Sequence, residues 1–214
     1  DDLASKCNVS RSTILRFSKR LGLKGYAELK VFLRIDNQMA DKSAIADNMY
    51  NFYVDTLKQY REYNYRGIVE SIYNAKNLYV HGTGTIQNHA ANHLKRAFSS
   101  AGKLFLDIDA FADFSAYTDL LERGDIFIAI SYSGENRHLL DYINQLKLNG
   151  VIIVALTVNK ESTLSHLADY NLHVKLFSIM THKDRMEDLA GNYFILIDFL
   201  VAYYMEYVKR RGEQ

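Results

Sequence analysis

Proline and tryptophan are absent from the 214 residues, and cysteine occurs once, at Cys7. A lone thiol excludes a disulfide framework within the chain and suits a reducing cytosol, so the expected location is cytoplasmic. The missing proline and tryptophan, like the 16 tyrosines, exclude no class of function. Neither GxxxxGKS/T nor GxGxxG occurs, which weighs against a nucleotide-binding loop. No secretory leader is recognisable at the start. The most lipid-like stretch, YFILIDFLVAYYMEYV (193–208), is short for a membrane span and carries Asp198 and Glu206. It reads as a buried helix, and no membrane partner is expected. A strong net charge is lacking too: the formal balance is +1. That figure conceals an asymmetry. Residues 1–37 carry eight Lys/Arg against four Asp/Glu, and residues 38–214 carry 18 against 21. A basic head on a mildly acidic body predicts that only the head meets a polyanion.

Hydrophobic residues at 48% and charged residues at 24% are ordinary globular values. From residue 77 onward an apolar run, a Gly or polar turn and a helical run recur. The apolar runs are NLYVHG (77–82), KLFLDI (103–108), DIFIAIS (125–131), VIIVALT (151–157) and NLHVKLF (171–177). They are β-branched or aromatic, too short for helices, and mostly without polar alternation, as strands buried on both faces of a parallel sheet are. Segments 85–101, 109–122 and 136–149 supply intervening helices, which makes the class α/β with a doubly wound parallel sheet flanked by helices. One or two further helices are expected over 43–75. DNQMADK (36–42) is the expected linker, dividing the chain into 1–37 and 38–214 with a core over 77–177.

In open parallel sheets ligands bind beyond the carboxyl ends of the strands, at a topological switch point. Two loops at such ends have suitable chemistry. In SYSGEN (131–136), Gly134 permits a tight turn, Ser131 and Ser133 offer hydroxyls, and the amides of Gly134, Glu135 and Asn136 are expected at a helix N-terminus, which favours an anion. In HGTGT (81–85), Gly82 and Gly84 allow close approach and Thr83 and Thr85 add hydroxyls. No Lys/Arg cluster flanks either loop, which points to amide-and-hydroxyl capture of a small phosphate. The competing reading is Ser caps and Gly turns of the kind found in any α/β protein.

The stretches YVHGTGT, DIFIAISYSGEN and GVIIVALTVNKESTLSHLADYNLHV, with the spacing between them, resemble a SIS (sugar isomerase) domain, a phosphosugar-binding module with a doubly wound parallel sheet. The resemblance covers roughly half the chain. It implies that Ser131, Ser133 and the 134–136 amides hold a phosphate, with Thr83, Gly84 and Thr85 lining the same pocket. The family usually has Thr where this chain has Asn136, and often Ser at Thr85.

The first 30 residues, DDLASKCNVSRSTILRFSKRLGLKGYAELK, read as helix, tight turn, helix. Ser10 is a good N-cap for the second helix and Gly22 its stop, while Ile14, Phe17 and Leu21 recur at helical spacing and are expected to face a core. Ser10, Arg11, Ser12 and Thr13 at its tip, with Arg16, Lys19 and Arg20 further along, suit a recognition helix: short polar groups for base edges and cations for phosphates. This head resembles the helix-turn-helix of RpiR-type regulators, whose architecture joins such a head to a SIS domain. The chain opens inside what should be the second helix of the head, so a preceding helix is expected upstream, and this all-α head is partial.

Two functions compete: a transcription regulator whose SIS domain senses a sugar phosphate and whose head binds operator DNA, and an aldose–ketose phosphate isomerase of the same fold. An isomerase needs a general base near neutral pKa. His182 and Glu187, before the last helix, and His81 at the first loop are the candidates. His89 and His93 stand i, i+4 apart without a third ligand at compelling spacing, so neither metal nor cofactor is expected. Glu135 reads as a helix N-terminal carboxylate. A homodimer or higher homo-oligomer is expected, with Phe194, Ile197, Val201, Tyr204 and Met205 of the last helix as candidate contacts.

Overall fold

A computed structural model describes residues 7, 9–20, 25–26, 28–29, 44–108, 120–182 and 185–212. The chain divides into two compact units, Asp1–Val54 and Asp55–Gln214.

In the first unit, α1 (Arg11–Arg20) starts where Ser10 caps it: the Thr13 amide donates to Ser10 Oγ at 3.2 Å. Ile14 and Ser18 are buried, and the Ser18 hydroxyl donates to the Ile14 carbonyl at 2.8 Å. Phe17, expected in the core beside Ile14, is instead 50% exposed. At 3.6 residues per turn Ser18 lies roughly 40° from Ile14 around the helix and Phe17 roughly 60° on the other side, and the buried stripe takes the serine. Leu21, Gly22 and the expected linker at 36–42 lie outside the described residues.

Of the one or two helices expected over 43–75 there are two: α2 (Ile45–Glu62) and α3 (Arg66–Asn74). The second unit is built on a five-stranded parallel sheet of β1 (Leu78–Gly82), β2 (Phe105–Asp107), β3 (Ile126–Ser131), β4 (Ile152–Thr157) and β5 (Tyr170–His173). Its order is β2-β1-β3-β4-β5, so the chain reverses its winding between β1 and β3. The connecting helices are α4 (Thr85–Ser100), α5 (Arg137–Leu148) and the short α6 (Thr163–Leu167). Of the segment expected as a helix at 109–122, residues 109–119 lie outside the described residues.

Continuous apolar strands are explained by two cores, one on each face of the sheet. Val80, Ile128, Ile130, Val154 and Leu156 pack against α3, α4 and the final helix α7 (Gly191–Gly212). Phe127, Ala129, Ile153 and Ala155 pack on Leu139, Tyr142, Ile143 and Leu146 of α5 and on Leu164 of α6. The strand entrances are pinned by buried Asp125, whose carboxylate accepts from the Asn77 amide at 3.2 Å, the Asn77 side chain at 2.9 Å and the Glu122 amide at 3.0 Å.

NLHVKLF, expected as one strand, is divided. Parallel pairing ends with His173 opposite Thr157, the last residue of β4, and Phe177 already belongs to an antiparallel hairpin of β6 (Phe177–Met180) and β7 (Met186–Leu189). Among the described residues no helix is long and apolar enough to cross a membrane.

Candidate functional site

Because β1 and β3 are neighbours with Gly82 opposite Ile130, the loops that follow them leave the sheet side by side at its switch point. The two loops are bonded to each other. The Thr83 amide extends the ladder by donating to the Ile130 carbonyl at 3.0 Å, and the Thr83 hydroxyl donates to Ser131 Oγ at 3.1 Å. Ser131 Oγ also accepts from the Gly134 amide at 3.1 Å, and Ser133 Oγ accepts from the Glu135 amide at 3.3 Å.

This pattern revises the expected donors. The Gly134 and Glu135 amides are spent inside the loop. Ser131 is buried and its Oγ accepts two bonds, so its own O–H remains as a donor. Ser133 and Thr85 are exposed at the same edge. The helix N-terminus open to an anion is that of α4, which no side chain caps at Gly84. That of α5 is capped by Asn136, whose Oδ1 accepts from the Leu139 amide at 3.0 Å.

Two glycines fix the crevice. A Cβ on Gly82 would lie 2.4 Å from the Gln87 carbonyl carbon, so only glycine lets the first turn of α4 sit this close to β1. Gly134 turns with φ +70°, and a Cβ there would lie 2.3 Å from Ser162 Oγ. Ser162 and its neighbours form a support that the sequence reading left without a role. Ser162 caps α6 through the Ser165 amide, and the Leu164 amide donates to the Gly134 carbonyl at 3.1 Å. Glu135 reaches across: its carboxylate accepts from the Thr163 amide and hydroxyl, each at 2.8 Å. Those two bonds, the amide first, hold the Glu135 carboxyl below its ordinary range. Glu135 is therefore a strap between the β3–α5 loop and α6. The STLSHLAD stretch was the available signal for this support.

On the hairpin side, the Tyr132 hydroxyl donates to Asp188 of β7 at 2.6 Å. Burial, then this bond, pushes the Tyr132 phenol well up. Behind α4, buried Gln87 donates to the Tyr193 hydroxyl of α7 at 3.2 Å.

The candidate bases sit on different elements. His81 is buried with Nδ1 2.7 Å from the Ile108 carbonyl oxygen. His182 and Glu187 are exposed on the hairpin. His93 Nε2 lies 2.7 Å from Asp198 Oδ1, while His89 is exposed, and among the described residues no three His, Cys, Asp or Glu could hold a metal. In the head, Ser10 Oγ lies 2.8 Å from both Ser12 Oγ and Thr13 Oγ1, and Arg16 and Lys19 are exposed. The side chains of Arg11 and Arg20 lie outside the described residues.

Residues 71–179 match the SIS domain family, and residues 1–40 match the helix-turn-helix domain of the rpiR family. The HTH-type transcriptional regulator GlvR of Bacillus subtilis (strain 168) is 30% identical over 209 residues, covering 97% of this chain and 82% of GlvR. Among solved structures, the Vibrio vulnificus NanR protein complexed with ManNAc-6P aligns with a TM-score of 0.61 at 21% identity, covering 99% of this chain and 80% of NanR. The sugar isomerase domain of an RpiR transcription factor from Sphaerobacter thermophilus aligns with a TM-score of 0.63 at 17% identity, covering 80% of this chain and 99% of that one.

Proposed function

We propose that this chain, which belongs to the rpiR family of helix-turn-helix transcription regulators, senses a sugar phosphate in the crevice between β1 and β3. Residues 1–37 are the DNA-reading part and residues 38–214 the sensor. The observation that carries the proposal is the bonded pair of loops: Thr83 and Gly134 both donate to Ser131, which joins the two hydroxyl-bearing loops at the sheet edge where α4 starts without a side-chain cap. Such a site suits a small oxyanion, whose charge is favoured at the helix N-terminus. The regulator acts in the cytoplasm, as at least a dimer.

Isomerase turnover is not part of this function. Side chains alternate along β7, so with Asp188 turned to Tyr132, Glu187 stands on the opposite face, and His81 is committed to a backbone carbonyl.

A thermal-shift series tests the reading. A monophosphorylated sugar is expected to raise the melting temperature and its unphosphorylated parent to leave it unchanged. Each charge-assisted bond lost with the phosphate is worth roughly 1.5–3 kcal/mol. Ser133→Ala is expected to weaken binding by about tenfold or more while the protein stays folded. Equal stabilisation by sugar and sugar phosphate refutes the anion site.

A further inference from the structure

The carboxyl edge of the sheet continues past the crevice. Ser131 is opposite Thr157 and Thr157 is opposite His173, so β5 ends two strand spacings, roughly 10 Å, from the crevice. There the end of α2, the start of α7 and the β4–α6 segment enclose a cleft of about 420 Å³. Lys160, His173 and Lys175 all line it, together with Thr157 and Ser165.

The charges of Lys160 and Lys175 oppose each other and both oppose a proton on His173, and among the described residues neither lysine has a carboxylate within ion-pair distance. The acid on the rim, Glu161, lies instead 4.0 Å from His166, and Asp55, whose charge reaches Lys175, is bonded to Lys58 at 3.1 Å. Hydrogen bonds fix the segment that carries His173 and Lys175. The Lys175 amide donates to the Tyr60 hydroxyl at 3.1 Å, and the Lys175 carbonyl accepts from the Asn192 side chain at 2.6 Å. His173 Nδ1 lies 3.2 Å from the Thr157 carbonyl oxygen and so carries a proton, which means that Nε2 donates to an anion when the ring takes up a second proton.

We propose that this cleft is a second anion site, taking a phosphate- or carboxylate-bearing small molecule between Lys160, Lys175 and His173, separate from the crevice at β1 and β3. The electrostatics agree. Burial and then Lys160, with Lys175 adding to it, hold the His173 imidazole below its ordinary value against the Thr157 bond, and burial and Lys160 lower Lys175 likewise. An anion seated among them offsets their mutual repulsion. The buried hydroxyls of Thr157 and Ser165, 2.9 Å apart on the same wall, are engaged with each other and with the Asn159 carbonyl, so the basic side chains carry the recognition.

Inorganic phosphate and acetate are the probes, and the His173 ring resonances of the 214-residue chain in NMR are the readout. A saturable shift of His173 is expected with one or both. Phosphate alone marks a phosphate site, and both mark a general oxyanion site. The shift is expected to survive Ser133→Ala, which damages only the crevice, and to need about tenfold or more probe in Lys160→Gln with Lys175→Gln. The double variant is checked for folding by its amide spectrum, and each single variant is measured as well, so that one of them reports if the double fails to fold. No saturable shift with either probe overturns the proposal. So does a shift that Ser133→Ala abolishes and the lysine variants leave intact, because that response belongs to the crevice.

Discussion

Gly134 concentrates the demands of the crevice in one residue. Its φ of +70° is a conformation that costs an L side chain about 1–2 kcal/mol, and the missing Cβ makes room for Ser162. Both its amide and its carbonyl are engaged, with Ser131 and Leu164, so the residue cannot relax without breaking a bond on one side. Gly134→Ala is therefore expected to lose about 2 kcal/mol or more of stability in denaturant unfolding and to weaken sugar-phosphate binding at the same time. A variant that unfolds at the wild-type midpoint would mean the loop has another conformation. The glycine and the serines were legible from their place between a strand and a helix. Their pairing was not, because whether an amide faces a ligand or a neighbouring hydroxyl depends on loop torsions that no spacing encodes. For the same reason Glu135 and Asn136 gave themselves away as polar residues at a helix start, but not as a strap to Thr163 and a cap on Leu139.

Among the elements, the strands were the most legible, since burial on both faces leaves unbroken apolar runs such as IFIAI and VIIVAL. The hairpin of β6 and β7 was hidden because FSIM and MEDL are short and half-buried, and because Val174 and Leu176 carry the apolar pattern of β5 straight into it. The basic cleft was illegible as well: Lys160 and Lys175 stand on different segments that only the β4–β5 pairing unites. The Glu135 strap joins two elements and gives them a pH dependence. A carboxylate whose folded pKa is depressed contributes stability above its unfolded value, and that contribution is lost as pH falls through the folded value. The strap is thus intact at neutral pH and opens only in acid. The Thr163 amide resonance is expected to titrate with a midpoint below the ordinary glutamate value of 4.5, and Glu135→Gln to abolish that titration. A midpoint at or above 4.5 would show that the carboxylate does not take both Thr163 bonds.

At the scale of the whole molecule, regulation requires the head to read DNA and the sensor to hold more than one head. Cations that meet phosphates release counterions, so DNA affinity is expected to fall steeply with salt, and Arg16→Ala and Lys19→Ala each to flatten that slope in a binding titration. Helix-turn-helix heads read paired half-sites at a fixed spacing, which a monomer cannot supply. The last helix was expected to provide the pairing surface, and its structure narrows the choice. Ile197 and Tyr204 are buried in the chain's own core, where α7 packs on α3 and α4, so neither is a contact to a second copy. Phe194 and Val201 are half-buried against the same core and Met205 is 46% exposed, so of the five candidates these three keep surface for a partner. Light scattering at micromolar concentration is expected to give at least twice the chain mass of 24.7 kDa. Met205→Glu is expected to shift the population toward monomer, because a carboxylate buried at an interface without a partner is strongly disfavoured. A wild-type mass of one chain, with or without sugar phosphate, would refute the dimer, and a dimer indifferent to Met205→Glu would move the contact off α7.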